Sequence, residues 1–123
     1  MRRHYPNFGL MVDLSHLPLL KESADFALKT AKDYLAHIHI GNCILKDKNH
    51  PAYGDKHPPF GCTSGENDVE AVKLFLKALM EIEYIGEGKQ NVVSFEVKPL
   101  EGESPEVVVA NAKRTLMEAW ARL

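Results

Sequence analysis

Ala36-His37-Ile38-His39-Ile40 is the stretch on which the fold turns. β-Branched residues alternate with polar ones at the two-residue period of a strand whose two faces differ. Gly41 and Asn42 end the run. Residues 23–34 before it and 68–84 after it carry the three- and four-residue apolar spacing of helices. Working outward, residues 8–13 and 92–97 are again short and rich in β-branched or aromatic side chains, which predicts two more strands. A last helix is predicted over 105–122, with Ser104 as its cap and Pro105 in its first turn. Asn67, followed by Glu70, offers a cap for the helix over 68–84. In the last helix the most apolar stripe is Val109, Leu116, Trp120 and Leu123, which is therefore expected to face the sheet, rather than the stripe of Val108, Ala112, Thr115, Ala119 and Arg122.

Strand, helix, strand, helix, strand, helix is the order of a parallel α/β sheet, either doubly wound or part of a barrel. Residues 1–123 are expected to form a single domain. The segment from residue 41 to residue 67 breaks the rhythm. It holds Pro51, Pro58, Pro59, Gly54, Gly61 and Gly65 and has no strand or helix period, and loops of such length in a compact domain usually carry function.

Strand parity sorts the polar residues. Gly9, Met11 and Asp13 share one face, His37 and His39 share one, and so do Val92, Ser94 and Glu96; the other face of each strand is wholly apolar and suits a helix layer. Asp13, His39 and Glu96 thus end the polar faces at the carboxyl edge of the sheet, where α/β proteins build their sites. Two carboxylates and an imidazole in one low-dielectric space call for a cation. Their mixed oxygen and nitrogen ligation suits a divalent ion such as Mn²⁺, Co²⁺, Mg²⁺ or Zn²⁺. His16, three residues after Asp13, is placed for a further ligand or substrate contact. His37, one layer deeper, is expected in the core, and His4 and His50 in solvent or loop.

Composition narrows the partners. The chain has 45% hydrophobic and 26% charged residues and a formal net charge of -2, so it lacks the clustered basic face that grips a phosphate backbone, and nucleic acid is a poor candidate. No apolar run reaches the eighteen residues of a membrane span, and the short stretch after Met1-Arg2-Arg3-His4-Tyr5-Pro6 does not make a secretory signal. A cytoplasmic location is expected. Cys43 and Cys62 have no CxxC spacing and are expected to be reduced structural thiols.

At these residues the chain resembles the xylose-isomerase-like (β/α)8 superfamily, which holds sugar phosphate isomerases, ketose epimerases and the type IV apurinic endonucleases. Asp13-Leu14-Ser15-His16 resembles the DxxH motif that closes strand six, His37-Ile38-His39-Ile40-Gly41-Asn42 the HxH segment of strand seven, and Ser94-Phe95-Glu96 the ligand glutamate of strand eight. Residues 61–68 resemble the glycine-rich approach to the seventh helix. The resemblance covers nearly the whole chain and implies three βα units, strands six to eight and their helices, of a TIM barrel that is incomplete in this chain. It implies a metal-dependent isomerase or epimerase of a sugar or sugar phosphate, working through an enediolate. Asp13, His39 and Glu96 would be the metal ligands, and Glu96 and His16 the catalytic pair. His16, Asp55 and His57 would contact substrate.

The family's fifth-strand glutamate, both a ligand and an acid/base group, has no counterpart here. Nor does the arginine that often follows the strand-seven histidine in epimerases, for Lys46 and Lys48 lack its planar fork. The implied partners are therefore a small sugar and either further copies of the chain or the missing barrel segments, since three strands cannot close a barrel. In the endonuclease branch Asp55-Lys56-His57 resembles the DxH pair that adds another zinc, and His16 becomes a ligand.

Overall fold

The computed structural model describes residues 6–123. Three parallel strands, β1 (Leu10–Asp13), β2 (Leu35–Ile40) and β3 (Val93–Phe95), lie in the order β1-β2-β3. The helices are α1 (His16–Leu20), α2 (Ala24–Ala31), α3 (Val69–Glu81) and α4 (Pro105–Ala121), and a 3₁₀ turn, Lys32–Tyr34, continues α2. Asp13 pairs in register with His39, and His39 with Ser94. The expected alternation of strand and helix is present, with β1 and β3 shorter than their apolar runs and β2 one residue longer, so that Glu96 stands one residue past β3. His4 falls outside the described residues.

The core forms where the apolar face of the sheet meets α2 and α3. Ile38 and Ile40 of β2, Leu28 of α2 and Phe75 and Leu79 of α3 are fully buried there, and each such side chain stabilises the fold by roughly 1.5–3 kcal/mol. Ser23 caps α2 by accepting from the Phe26 N–H at 3.1 Å, and Ser104 caps α4 by accepting from Val107.

Two sequence expectations are corrected. Asn67 does not cap α3. The cap position belongs to Asp68, whose side chain makes no cap bond, because the Asn67 amide is buried and donates instead to the carbonyls of Gly41 and Leu14. In α4 the buried stripe is Val108, Ala112, Thr115 and Ala119, whereas Val109, Trp120 and Leu123 are exposed. Small side chains let α4 approach α3 closely, and the bulky stripe is turned past the edge of β3. There Leu116, Met117 and Trp120 line a groove of about 530 Å³ with Val93 and Phe95. α1 was not foreseen; it is a single turn ended by Lys21 in the left-handed region at φ 56°. No helix among the described residues is long and apolar enough to cross a membrane.

Candidate metal centre

Neighbouring parallel strands run a little under 5 Å apart, so residues in register on one face lie side by side. That places Asp13 beside His39, while the side chain of Glu96, two residues beyond Ser94 on the far side of β2, reaches back to His39. Asp13 is 2% exposed. Its Oδ1 accepts from the backbone N–H of Ser15 at 2.9 Å and from the Ser15 hydroxyl at 2.8 Å, the local turn that an aspartate favours two residues ahead. Its Oδ2 is buried with no hydrogen-bond partner and lies 3.8 Å from Nδ1 of His39. The same Nδ1 is 2.9 Å from Oε2 of Glu96.

These spacings fit a shared cation. Ligand atoms held at roughly 2.0–2.2 Å from one ion are about 3–3.5 Å from each other, and the ligand atoms of Asp13, His39 and Glu96 all lie within 4.8 Å of one another. An unpartnered buried carboxylate oxygen costs about 1–3 kcal/mol, and a metal ion or a proton is what can satisfy it here. The three residues named from strand parity therefore do come together.

The long loop supplies a second half. Asp55 Oδ1 is 2.9 Å from Nε2 of His57 and 3.3 Å from Nε2 of His16, and His57 Nε2 is 3.5 Å from Oε1 of Glu96. Asp13, His16 and His57 form another set whose ligand atoms lie within 4.8 Å of one another. All six residues singled out in the sequence thus belong to one continuous cluster, with Asp13 and Glu96 facing both halves.

The loop is held by buried polar groups rather than by a regular element. The fully buried Asn42 donates to the Pro59 carbonyl and accepts from the N–H groups of Cys43 and Asn67. Ile44 bridges to Tyr53 and to Gly65. The His57 carbonyl accepts from the Lys98 N–H at 2.7 Å, which ties the loop to the chain leaving β3. His57 itself sits at φ 53°, a left-handed conformation uncommon in a non-glycine residue and met most often where a site holds strain. Gly41 passes so close that a Cβ there would come 2.8 Å from the Glu96 carbonyl oxygen, 3.2 Å from the Ser15 Cβ and 3.3 Å from His57 Nδ1.

His37, expected in the core, is half-buried instead and packs edge-on against His39, with ring centroids 4.9 Å apart. His50 accepts from the Ala52 N–H in a local turn. Lys46 is exposed and pairs loosely with Glu66 at 4.0 Å. Cys43 and Cys62 are free thiols. Burial, aided by the charges of Glu66, Asp55 and Asp13, pushes the Cys43 thiol up to about 11, and burial raises that of Cys62 as well. Sequence reasoning missed Ser15, Gly41 and Asn42. For Ser15 a signal existed, since a serine two residues after a ligand aspartate is placed to bond it.

No known family model matches the chain, and no curated protein does.

Proposed function

We propose that the cluster is the metal centre of a sugar or sugar phosphate isomerase or epimerase, and that β1, β2 and β3 are strands six, seven and eight of a (β/α)8 barrel. The observation that carries this is the buried, unpartnered Oδ2 of Asp13 beside His39 and Glu96. The parallel βα alternation supports the barrel, as does the gathering of polar residues at the carboxyl ends of the strands. Both sheet edges expose apolar residues, Phe8 and Leu10 at β1 and Val92 and Phe95 at β3, with Trp120 54% and Met117 70% exposed nearby. Further βα units would cover them, from a longer polypeptide or from other copies. The isolated chain is expected to self-associate and to have little or no isomerase activity; a monomer by light scattering with ordinary turnover of a ketose contradicts this.

Asp13, His39 and Glu96 would hold the divalent ion, which when bound would polarise adjacent carbonyl and hydroxyl oxygens of the sugar and stabilise the enediolate. Glu96 has an oxygen on each half of the cluster, Oε2 at His39 and Oε1 toward His57. In this reading it would take the proton from the carbon next to the carbonyl and return it to the neighbouring carbon or the opposite face. A second carboxylate, from another strand, would complete the proton transfer. His16 and Asp55 lie at the exposed side of the cluster and would bind the hydroxyls of the sugar, while the His57 segment would exclude water.

A second reading, a metal-dependent phosphodiesterase of the apurinic endonuclease kind, is favoured by one observation, the second ligand set of Asp13, His16 and His57 with Asp55 between the two imidazoles. The two are separated with Mn²⁺-loaded protein by water-proton relaxation. A small ketose that chelates through adjacent oxygens should displace bound water and lower the relaxivity, and a polyol without a carbonyl should not. No response to any ketose, together with two or more Zn²⁺ per chain and retention of abasic DNA, would move the assignment to the nuclease.

A further inference from the structure

We infer that Ser15 is a positioning residue that accepts the Nδ1–H of His57 and thereby aims the ring's Nε2 into the polar cluster. This rests on the metal-centre reading above and extends it to a residue that touches neither ion nor substrate.

The inference follows from counting hydrogens. A serine hydroxyl has one, and an ionised carboxylate can only accept. Ser15 gives its hydrogen to Oδ1 of Asp13 at 2.8 Å. The contact between the same hydroxyl oxygen and Nδ1 of His57, at 3.2 Å, must then have the nitrogen as donor. Nδ1 therefore carries a hydrogen. The other ring nitrogen, Nε2, faces Asp55 Oδ1 at 2.9 Å and Glu96 Oε1 at 3.5 Å. Holding Nδ1 on Ser15 thus fixes the direction in which Nε2 meets the two carboxylates.

The surroundings are built for this relay. Ser15 is fully buried, so water does not compete for its hydroxyl. Gly41 leaves the room, since a side chain there would press on both Ser15 and the His57 ring. The backbone N–H of Ser15 also bonds Asp13, which holds the hydroxyl in place. One residue therefore bonds Oδ1 of Asp13, leaving Oδ2 for the ion, and orients the His57 ring. Asp13 is one of the proposed ligands, and loss of a hydrogen-bonding partner behind a ligand weakens metal binding about 10- to 100-fold.

The test reads the ring nitrogens of His57 by long-range ¹H–¹⁵N NMR, with the signals assigned by their loss in His57→Gln. In the unaltered chain Nδ1 is expected to be protonated both without metal and with Zn²⁺ added. In Ser15→Ala that protonation should be partly or wholly lost, and the Zn²⁺ dissociation constant measured by calorimetry should rise about 10- to 100-fold. A role confined to packing would lower the melting temperature and leave the nitrogen shifts unmoved. Nδ1 found unprotonated in the unaltered chain overturns the inference, as does a folded Ser15→Ala variant with unchanged nitrogen shifts and zinc affinity. If Ser15→Ala does not fold, the tautomer of the unaltered chain decides alone. Protonated Nδ1 in a chain that binds no Zn²⁺ would uphold the role of Ser15 while removing the metal centre, so the two failures remain distinct.

Discussion

Asp13→Asn should move the protein in two opposite directions at once. The amide oxygen can keep both bonds from Ser15, while the amide nitrogen replaces the orphaned Oδ2 and points a donor toward His39 and Glu96. Without metal, the variant loses an unsatisfied buried acceptor worth about 1–3 kcal/mol and a negative charge close to Glu96. For a chain of this size each kcal/mol shifts the midpoint by roughly 4 °C, so metal-free Asp13→Asn should melt about 4–12 °C above the metal-free parent. With Zn²⁺ at 100 times its dissociation constant the parent should gain about 2.7 kcal/mol. If loss of the charged ligand weakens binding about 100-fold, the variant gains only about 0.4 kcal/mol under the same conditions. The assay is thermal unfolding followed by circular dichroism, with chelator and with Zn²⁺. A variant that melts below the parent in chelator and keeps the parent's zinc shift would show that Asp13 is an ordinary structural carboxylate.

Other perturbations probe the framework. Gly41→Ala should weaken Zn²⁺ binding by calorimetry, because its Cβ would meet the Glu96 carbonyl oxygen at 2.8 Å and displace Glu96 or His57; unchanged affinity would contradict the close approach. Ala112→Leu should cost about 1–3 kcal/mol by overpacking the contact between α3 and α4, whereas Val109→Ser, on the exposed stripe, should change urea stability by less than about 0.5 kcal/mol; the reverse order would restore the apolar stripe as the buried one. The Cys43 thiol, raised from 9.0 to about 11 by burial, keeps in the folded state a proton that the unfolded chain releases. Its contribution is therefore present below pH 9 and lost as pH rises toward 11, on the order of 2–3 kcal/mol. Cys43→Ala should be less stable than the parent at pH 8 and lose less between pH 9 and pH 11, as measured by urea midpoints.

What the sequence made legible is whatever depends on periodicity. Strand parity alone put Asp13, His39 and Glu96 on one face; the parallel register sets Asp13 beside His39, and the longer Glu96 side chain reaches back to them from beyond β3. His16 was legible from its spacing three residues after Asp13, whereas Asp55 and His57 came from motif resemblance, since no period links a loop to a strand end. The roles of Asn42 and Ser15 depend on partners far away in the chain, such as Pro59 and His57, and these are set by how the loop folds back. The face of α4 was misjudged because hydrophobicity favours the bulky stripe, while packing between helices rewards the small residues Ala112 and Ala119 that permit close approach. Asn67 was misassigned for a related reason: a good cap residue is also a good donor to buried carbonyls, and the tertiary demand prevailed.

The most direct measurement is an anomalous difference map from a crystal soaked in a low concentration of Zn²⁺ or Mn²⁺. A peak roughly 2.0–2.3 Å from Asp13 Oδ2, His39 Nδ1 and a Glu96 carboxylate oxygen is expected. Full occupancy of a site elsewhere, with these three side chains bonded only to one another or to water, would contradict the assignment.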